Sequence, residues 1–124
     1  MGNVIQDAKF DSGNGIRGIT LYSDAGHINV AISPPHSPVT HSVTEFIVAE
    51  DKRGKGEGKR LIRAAMKKFR EDIGAQCSSI ASVKAFYSCG FHYAADPTAS
   101  LEECIAAWRE WSSILMVYKP KKEF

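Results

Sequence analysis

The chain reads as one domain, residues 1–124, of the mixed α/β or α+β class. Three observations carry that reading. Apolar and polar residues alternate before residue 50, as half-buried strands require. Helical and strand-like patterns then take turns, the order expected of a mixed sheet with helices packed on it. The chain is also long enough to bury a core without disulfide or metal staples.

The elements follow in order. Residues 16–33 read as a hairpin: "IRGITLYS" turns at Asp24, Ala25 and Gly26 into "HINVAIS", where Ile28, Val30 and Ile32 alternate. "PPHSP" at 34–38 cannot continue a strand and predicts a loop. "VTEFIVA" at 43–49 is β-branched and apolar enough for a buried central strand. Leu61, Ile62, Ala65 and Phe69 then recur at helical spacing, with Arg63, Lys67, Lys68 and Arg70 largely on the other side and Gly74 as a natural stop. "AQCSSIA" predicts a short strand and "SVKAFYSCG" a short helix ending at Gly90. Ser100 and Glu103 form a capping box ahead of Leu101, Cys104, Ile105, Trp108 and Trp111. "SSILMVYK" reads as a closing strand and "PKKEF" as a frayed tail.

Composition narrows the function classes. Three cysteines without a C-x-x-C pair argue against a disulfide framework or a structural zinc site and fit a reducing compartment. No apolar run approaches membrane-spanning length. The opening "MGNVIQDAKF" has no signal-peptide pattern, and Gln6 stands where a myristoylation signal needs Ser or Thr. The expected location is cytoplasmic. The net charge of +2 conceals an asymmetry: of sixteen Lys and Arg, nine lie between Lys52 and Arg70, where Glu57 is the only acid. Such a patch is either a solvated helix face or the seat of an anionic partner.

Glycines inside that patch favour a bound anion. In "VAEDKRGKGEGKRLIRAAMKKF" small residues lie between a predicted strand and a predicted helix, where backbone N–H groups can approach phosphate closely. A nucleotide-triphosphate loop, G-x-x-x-x-G-K-[ST], fails because Arg53 replaces its first Gly and Arg60 its Ser or Thr. The dinucleotide fingerprint G-x-G-x-x-G begins at Gly54 and Gly56 but meets Lys59 at the third Gly. R-x-x-G-x-G does match, on Arg53, Gly56 and Gly58.

This loop resembles the coenzyme A pyrophosphate loop of the GNAT superfamily of N-acetyltransferases. "AFYSCGF" at 85–91 resembles the family's later "FYxxxGF"-type segment, and the closing "ILMVYK" fits the same fold. The resemblance implies a mostly antiparallel central sheet flanked by helices, acetyl-coenzyme A as cosubstrate and a primary amine as acceptor. It implies that backbone groups of Phe46 and Val48 meet the pantetheine arm and acyl carbonyl. Arg53, Gly54, Lys55, Gly56, Gly58 and Lys59 would line the pyrophosphate. Tyr87 falls on the family's usual tyrosine, near the thioester sulfur. Two departures stand out. Ile80 occupies the place of a frequent Asn, with Ser79 and Ser82 nearby, and residues 1–15 are too few for the helix pair that usually shapes the acceptor side.

The remaining candidates follow from chemistry. Tyr87 could donate to a departing thiolate, or be a core aromatic beside Phe86 and Phe91. Glu45, the one acid in the central strand, is the general-base candidate against the alternative of an exposed strand carboxylate. His41 and His92 suit surface or capping positions, and His27 and His36 lie in turn regions without metal-ligand spacing, so no metal site is expected. Cys89, without a partnered His, reads as a small buried hydrophobe. Trp108 and Trp111 suit the core or a homodimer contact. A non-catalytic module, binding acyl-coenzyme A or nucleic acid through the basic stretch, is the alternative function. Nucleic acid is disfavoured because no aromatics interleave the basic residues.

Overall fold

The computed structural model describes residues 4–11, 13, 15–34 and 39–120. Its strands are β1 (Gln6–Asp11), β2 (Arg17–Ser23), β3 (Gly26–Ile32), β4 (His41–Val48), β5 (Ile73–Cys77), β6 (His92–Tyr93) and β7 (Ile114–Tyr118). Its α-helices are α1 (Glu57–Phe69), α2 (Ile80–Ser88) and α3 (Leu101–Trp111). The strands form one sheet in the order β1-β2-β3-β4-β5-β7-β6. Only β4 and β5 run parallel, so the sheet is mixed and mostly antiparallel, as expected.

Register sorts the side chains onto two faces. Cross-strand partners share a face, so Leu21, Ile28 and Phe46 point one way. Tyr22, His27 and Ile47 point the other way. The first face is the core. There α1 lies across β2, β3 and β4, and α2 across β5 and β7. The helix α3 packs on α2 and β7, so the helices form one layer. Leu61 and Ile62 are fully buried under α1, each contributing about 1.5–3 kcal/mol. On the opposite face Phe10 lies over Gly18 and Val39 over Gly74.

Several expectations shift by a few residues, each for a visible reason. The first long helix ends at Arg70 rather than Gly74. Arg70 takes a left-handed conformation (φ 53°), and its N–H bonds the Met66 carbonyl at 3.1 Å. Gly74 is instead buried within β5, where a Cβ would stand 2.8 Å from Val39. His27 belongs to β3 rather than to the turn, and His41 is buried in β4 against Phe69, with ring centroids 4.6 Å apart. The capping box of Ser100 and Glu103 is present as expected. The proline loop at 34–38, with His36, and the tail at 120–124 lie outside the described residues apart from Pro34 and Pro120.

The short N-terminal segment carries no helix pair among its described residues. It forms the edge strand β1, paired with β2 along its whole length. No helix among the described residues is long and apolar enough to cross a membrane.

Candidate active site

The site begins where β4 and β5 part. They pair only at His41–Ile73, Ser42–Gly74 and Val43–Ala75. A register shift against β3 then falls at Thr44, one residue too many for its partners. Such a bulge bends and re-aims a strand. Beyond it the β5-facing edge of β4 has no strand partner among the described residues, and its backbone groups are open to a ligand running alongside.

Two cavities adjoin this gap. The larger, about 630 Å³, runs from Phe46 and Val48 to the glycine loop. Of the residues expected to hold the cofactor, Phe46, Val48, Arg53, Gly54, Gly56, Gly58 and Lys59 line it. Lys55 does not; it is an exposed loop residue. Lys52 joins the lining although the motif gave no sign of it. The Val48 carbonyl accepts a hydrogen bond from Arg53 Nε at 3.1 Å. That bond anchors the guanidinium at the cavity wall.

The loop geometry requires its glycines. Gly54 and Gly56 have φ of 79° and 83°, left-handed values that cost other residues about 1–2 kcal/mol. Gly58 has no such φ, but a Cβ there would stand 3.0 Å from the ring tip of Phe46. Gly56 is also the N-cap of α1 and supplies no side-chain cap. By contrast α2 and α3 each begin with a reciprocal capping box, Ser79–Ser82 and Ser100–Glu103. Among the described residues, the N–H groups of Glu57, Gly58 and Lys59 at the start of α1 receive no side-chain cap, which makes this end a ready anion site.

One acid in the basic stretch could have spoiled that site. Glu57 opens α1 and lines the cavity, yet its carboxylate is engaged by Arg60 Nε at 2.7 Å and by the Ser23 hydroxyl. The hydrogen bonds from Arg60 and then Ser23 hold its carboxyl below the usual range. The negative charge is thus neutralised beside the loop.

The smaller cavity, about 200 Å³, lies on the other side of the gap and includes Glu45, Thr44 and Gln76. Phe46, Ser79 and Ser82 line both cavities and mark their junction. Glu45 is half-exposed, and its Oε1 contacts His27 Nε2 from the neighbouring strand. Sequence reasoning missed that pair because strand register, not spacing, creates it.

Tyr87 lines neither cavity and packs half-buried against the core. Phe86 reaches the smaller cavity instead. The sequence held a signal for this. The "FYxxxGF" pattern has three residues between Tyr and Gly, whereas only Ser88 and Cys89 separate Tyr87 from Gly90. Counted back from Gly90, the family's tyrosine position is Phe86, and seven residues before it stands Ser79 rather than Ile80. Cys89 is buried; desolvation raises its thiol pKa, and Cys77 is pushed up to about 12 for the same reason. Neither is a nucleophile in this state.

Comparison with known proteins gives one family match and likenesses to solved structures. The sequence profile of the acetyltransferase (GNAT) family matches residues 8–91. No curated protein sequence matches. Among solved structures, a Bacillus subtilis acetyltransferase in complex with CoA is similar at a TM-score of 0.62 and 15% identity, covering 95% of this chain and all of that one. A protein assigned to the GNAT family from Desulfovibrio desulfuricans is similar at 0.55 and 15% identity, over 85% of this chain and 69% of that one. At such identity these two likenesses concern the fold.

Proposed function

The chain belongs to the acetyltransferase (GNAT) family, and from that premise we propose that it transfers an acetyl group from acetyl-coenzyme A to a primary amine. The observation that carries the reading is the uncapped start of α1 beneath Gly54 and Gly56, at the end of a cavity edged by the unpaired strand β4. Coenzyme A has two matching parts, an amide-rich arm that can pair with a strand edge and a pyrophosphate that suits a helix N-terminus. Lys52, Arg53 and Lys59 line the same cavity and add positive charge.

The junction of the cavities is where thioester and amine would meet. The amine nitrogen attacks the acyl carbon, the new C–N bond forms, and the C–S bond breaks with its electron pair on sulfur. The nitrogen loses a proton and the sulfur gains one. Glu45 is the carboxylate placed to receive the amine's proton, directly or through water. No tyrosine lines either cavity to supply a proton to sulfur. Positioning of the reactants then provides most of the acceleration, worth up to about 7–11 kcal/mol in favourable cases.

A nucleic-acid module finds less support. Within the basic stretch Arg60 is paired with Glu57 and Lys68 with Asp7, so part of its charge serves the fold. The test is calorimetry with coenzyme A, followed by incubation with acetyl-coenzyme A and a panel of amines and peptides. Binding and an acceptor that gains one acetyl group are expected; no binding by calorimetry would remove the acetyltransferase reading.

A further inference from the structure

Among the described residues, Glu45 is the only ionisable one lining the smaller cavity; Thr44, Gln76, Ser78, Ser79 and Ser82 supply neutral polar groups, and the rest is apolar. No described lysine, arginine or histidine lines it. Gln76 donates its amide to Ser113 Oγ at 2.6 Å, and Thr44 donates to the Asn29 carbonyl at 3.4 Å. Glu45 Oε1 contacts His27, while Oε2 has no partner among the described residues. An incoming amine therefore meets one carboxylate oxygen, and an incoming anion meets no cation.

On the strands flanking this point the surroundings are sparse in charge. Sharing the face of His27 near this point are Tyr22 and Thr20 on β2, Gln6 and Ala8 on β1, Asn29 on its own strand, and Ile47 and Glu45 on β4. Tyr22 donates to Gln6 Oε1 at 3.1 Å. Gln76 represents β5, and Ser79, Ser82 and Phe86 represent α2, in the cavity wall. The side chain that holds the Glu45 carboxylate in this wall is thus the His27 imidazole.

Size adds a second constraint. At about 200 Å³ the cavity is smaller than the roughly 300–1,000 Å³ that encloses a whole drug-sized ligand. A drug-sized acceptor would be only partly enclosed by it.

Resting on the acetyltransferase reading, we propose that the acceptor is an amine with no acid group beside its nitrogen, selected by Glu45, with His27 as the positioning residue that holds the Glu45 carboxylate. A free α-amino acid would bring its carboxylate into the same small cavity as Glu45, where no cation receives it. An amide-blocked α-amine, or an amine at the end of an alkyl chain, brings only the cationic or neutral nitrogen.

The probes are alaninamide and alanine, which differ at the acid group, with acetyl-coenzyme A saturating as judged by calorimetry. Rates are expressed per concentration of neutral amine, because the two nitrogens titrate differently. Alaninamide is expected to have a kcat/KM at least about fivefold above alanine, the scale of one partly exposed charge contact. Glu45→Gln should erase most of that gap, with an unchanged melting temperature excluding misfolding. His27→Gln keeps a donor to Oε1 and should preserve the gap, whereas His27→Ala removes the contact and should shrink it. Alanine matching alaninamide, or a gap that survives Glu45→Gln, overturns the selectivity. A gap that His27→Ala leaves untouched, or that His27→Gln fails to preserve, overturns the positioning role. If coenzyme A binds but neither probe is acetylated, this inference falls while the cofactor site stands; if coenzyme A does not bind, the acetyltransferase reading itself has failed.

Discussion

The ring of Phe46 on β4 meets Phe86 on α2 edge to face, with centroids 5.4 Å apart and planes at 67°. Phe46 lines both cavities and Phe86 the smaller one. The same Phe46 ring fills the space that a side chain at position 58 would claim. One aromatic contact thus joins the phosphate end of the site to its reacting end. Phe86 is fully buried and also packs edge-on to Phe91, at 4.9 Å, so Phe46 rests on a fixed partner.

Gly58 and Gly56 should therefore fail in different ways. Gly58→Ala places a carbon 3.0 Å from the Phe46 ring, which must tilt into the cavity. The change gains helix propensity of about 1 kcal/mol, so the melting temperature should hold while coenzyme A affinity drops about tenfold. Gly56→Ala meets open space but keeps φ at 83°. It should lose about 1–2 kcal/mol of stability. Calorimetry and thermal melts on both variants check the contrast.

Tyr87→Phe should leave turnover within about twofold, since loss of a general acid would cost roughly 10²–10⁴-fold and Tyr87 lines neither cavity. A selective fall in kcat with unchanged coenzyme A affinity would restore the tyrosine to the reaction. Phe86→Ala, by contrast, should cost about 3–5 kcal/mol in denaturant unfolding, because it empties the core beneath Phe46.

How far the sequence carries depends on which physical signal each element leaves. The α1 pattern, the glycine loop and the α3 capping box are local and strong, and the structure has them where spacing places them. β1 reads "QDAKFD" and is almost wholly exposed, so no apolar alternation announces it; only pairing with β2 makes it a strand. Gly74 looks like a helix stop, yet it is needed for close packing under Val39, a contact between distant residues. The phase of α2 turned on a one-residue difference in spacing before Gly90. The His27–Glu45 contact depends on the register of β3 against β4, to which a linear reading has no access.

His41 predicts an acid-side weakness of the fold. Burial is the main influence on it and lowers its pKa, opposed by Glu71 and by a backbone bond to Asp72. The folded state thus favours the neutral ring. This contribution is full above the unfolded value, about 6.5, and is lost as pH falls toward and through the lower folded value. Urea unfolding of wild type should weaken over that interval, and His41→Gln should flatten the slope there.

Glu57 acts at lower pH. Its carboxyl is held down by hydrogen bonds from Arg60 and Ser23, so its contribution is present above the ordinary carboxylate range and lost as pH falls through the folded value. Glu57→Gln should be less stable than wild type near neutrality, and the two should converge in acid. A constant difference across pH would mean that packing, not charge, is what Glu57 supplies.

The central claim, that the glycine loop and the start of α1 hold the pyrophosphate of coenzyme A, is tested most directly by calorimetry of coenzyme A beside pantetheine. Pantetheine carries the same arm and thiol but no phosphate. Wild type should bind coenzyme A at least about 100-fold more tightly, a difference near 2.7 kcal/mol. Gly56→Ala and Arg53→Ala should each shrink that preference while leaving pantetheine binding weak and little changed. Equal affinity for the two compounds, or a preference untouched by both substitutions, would contradict the account.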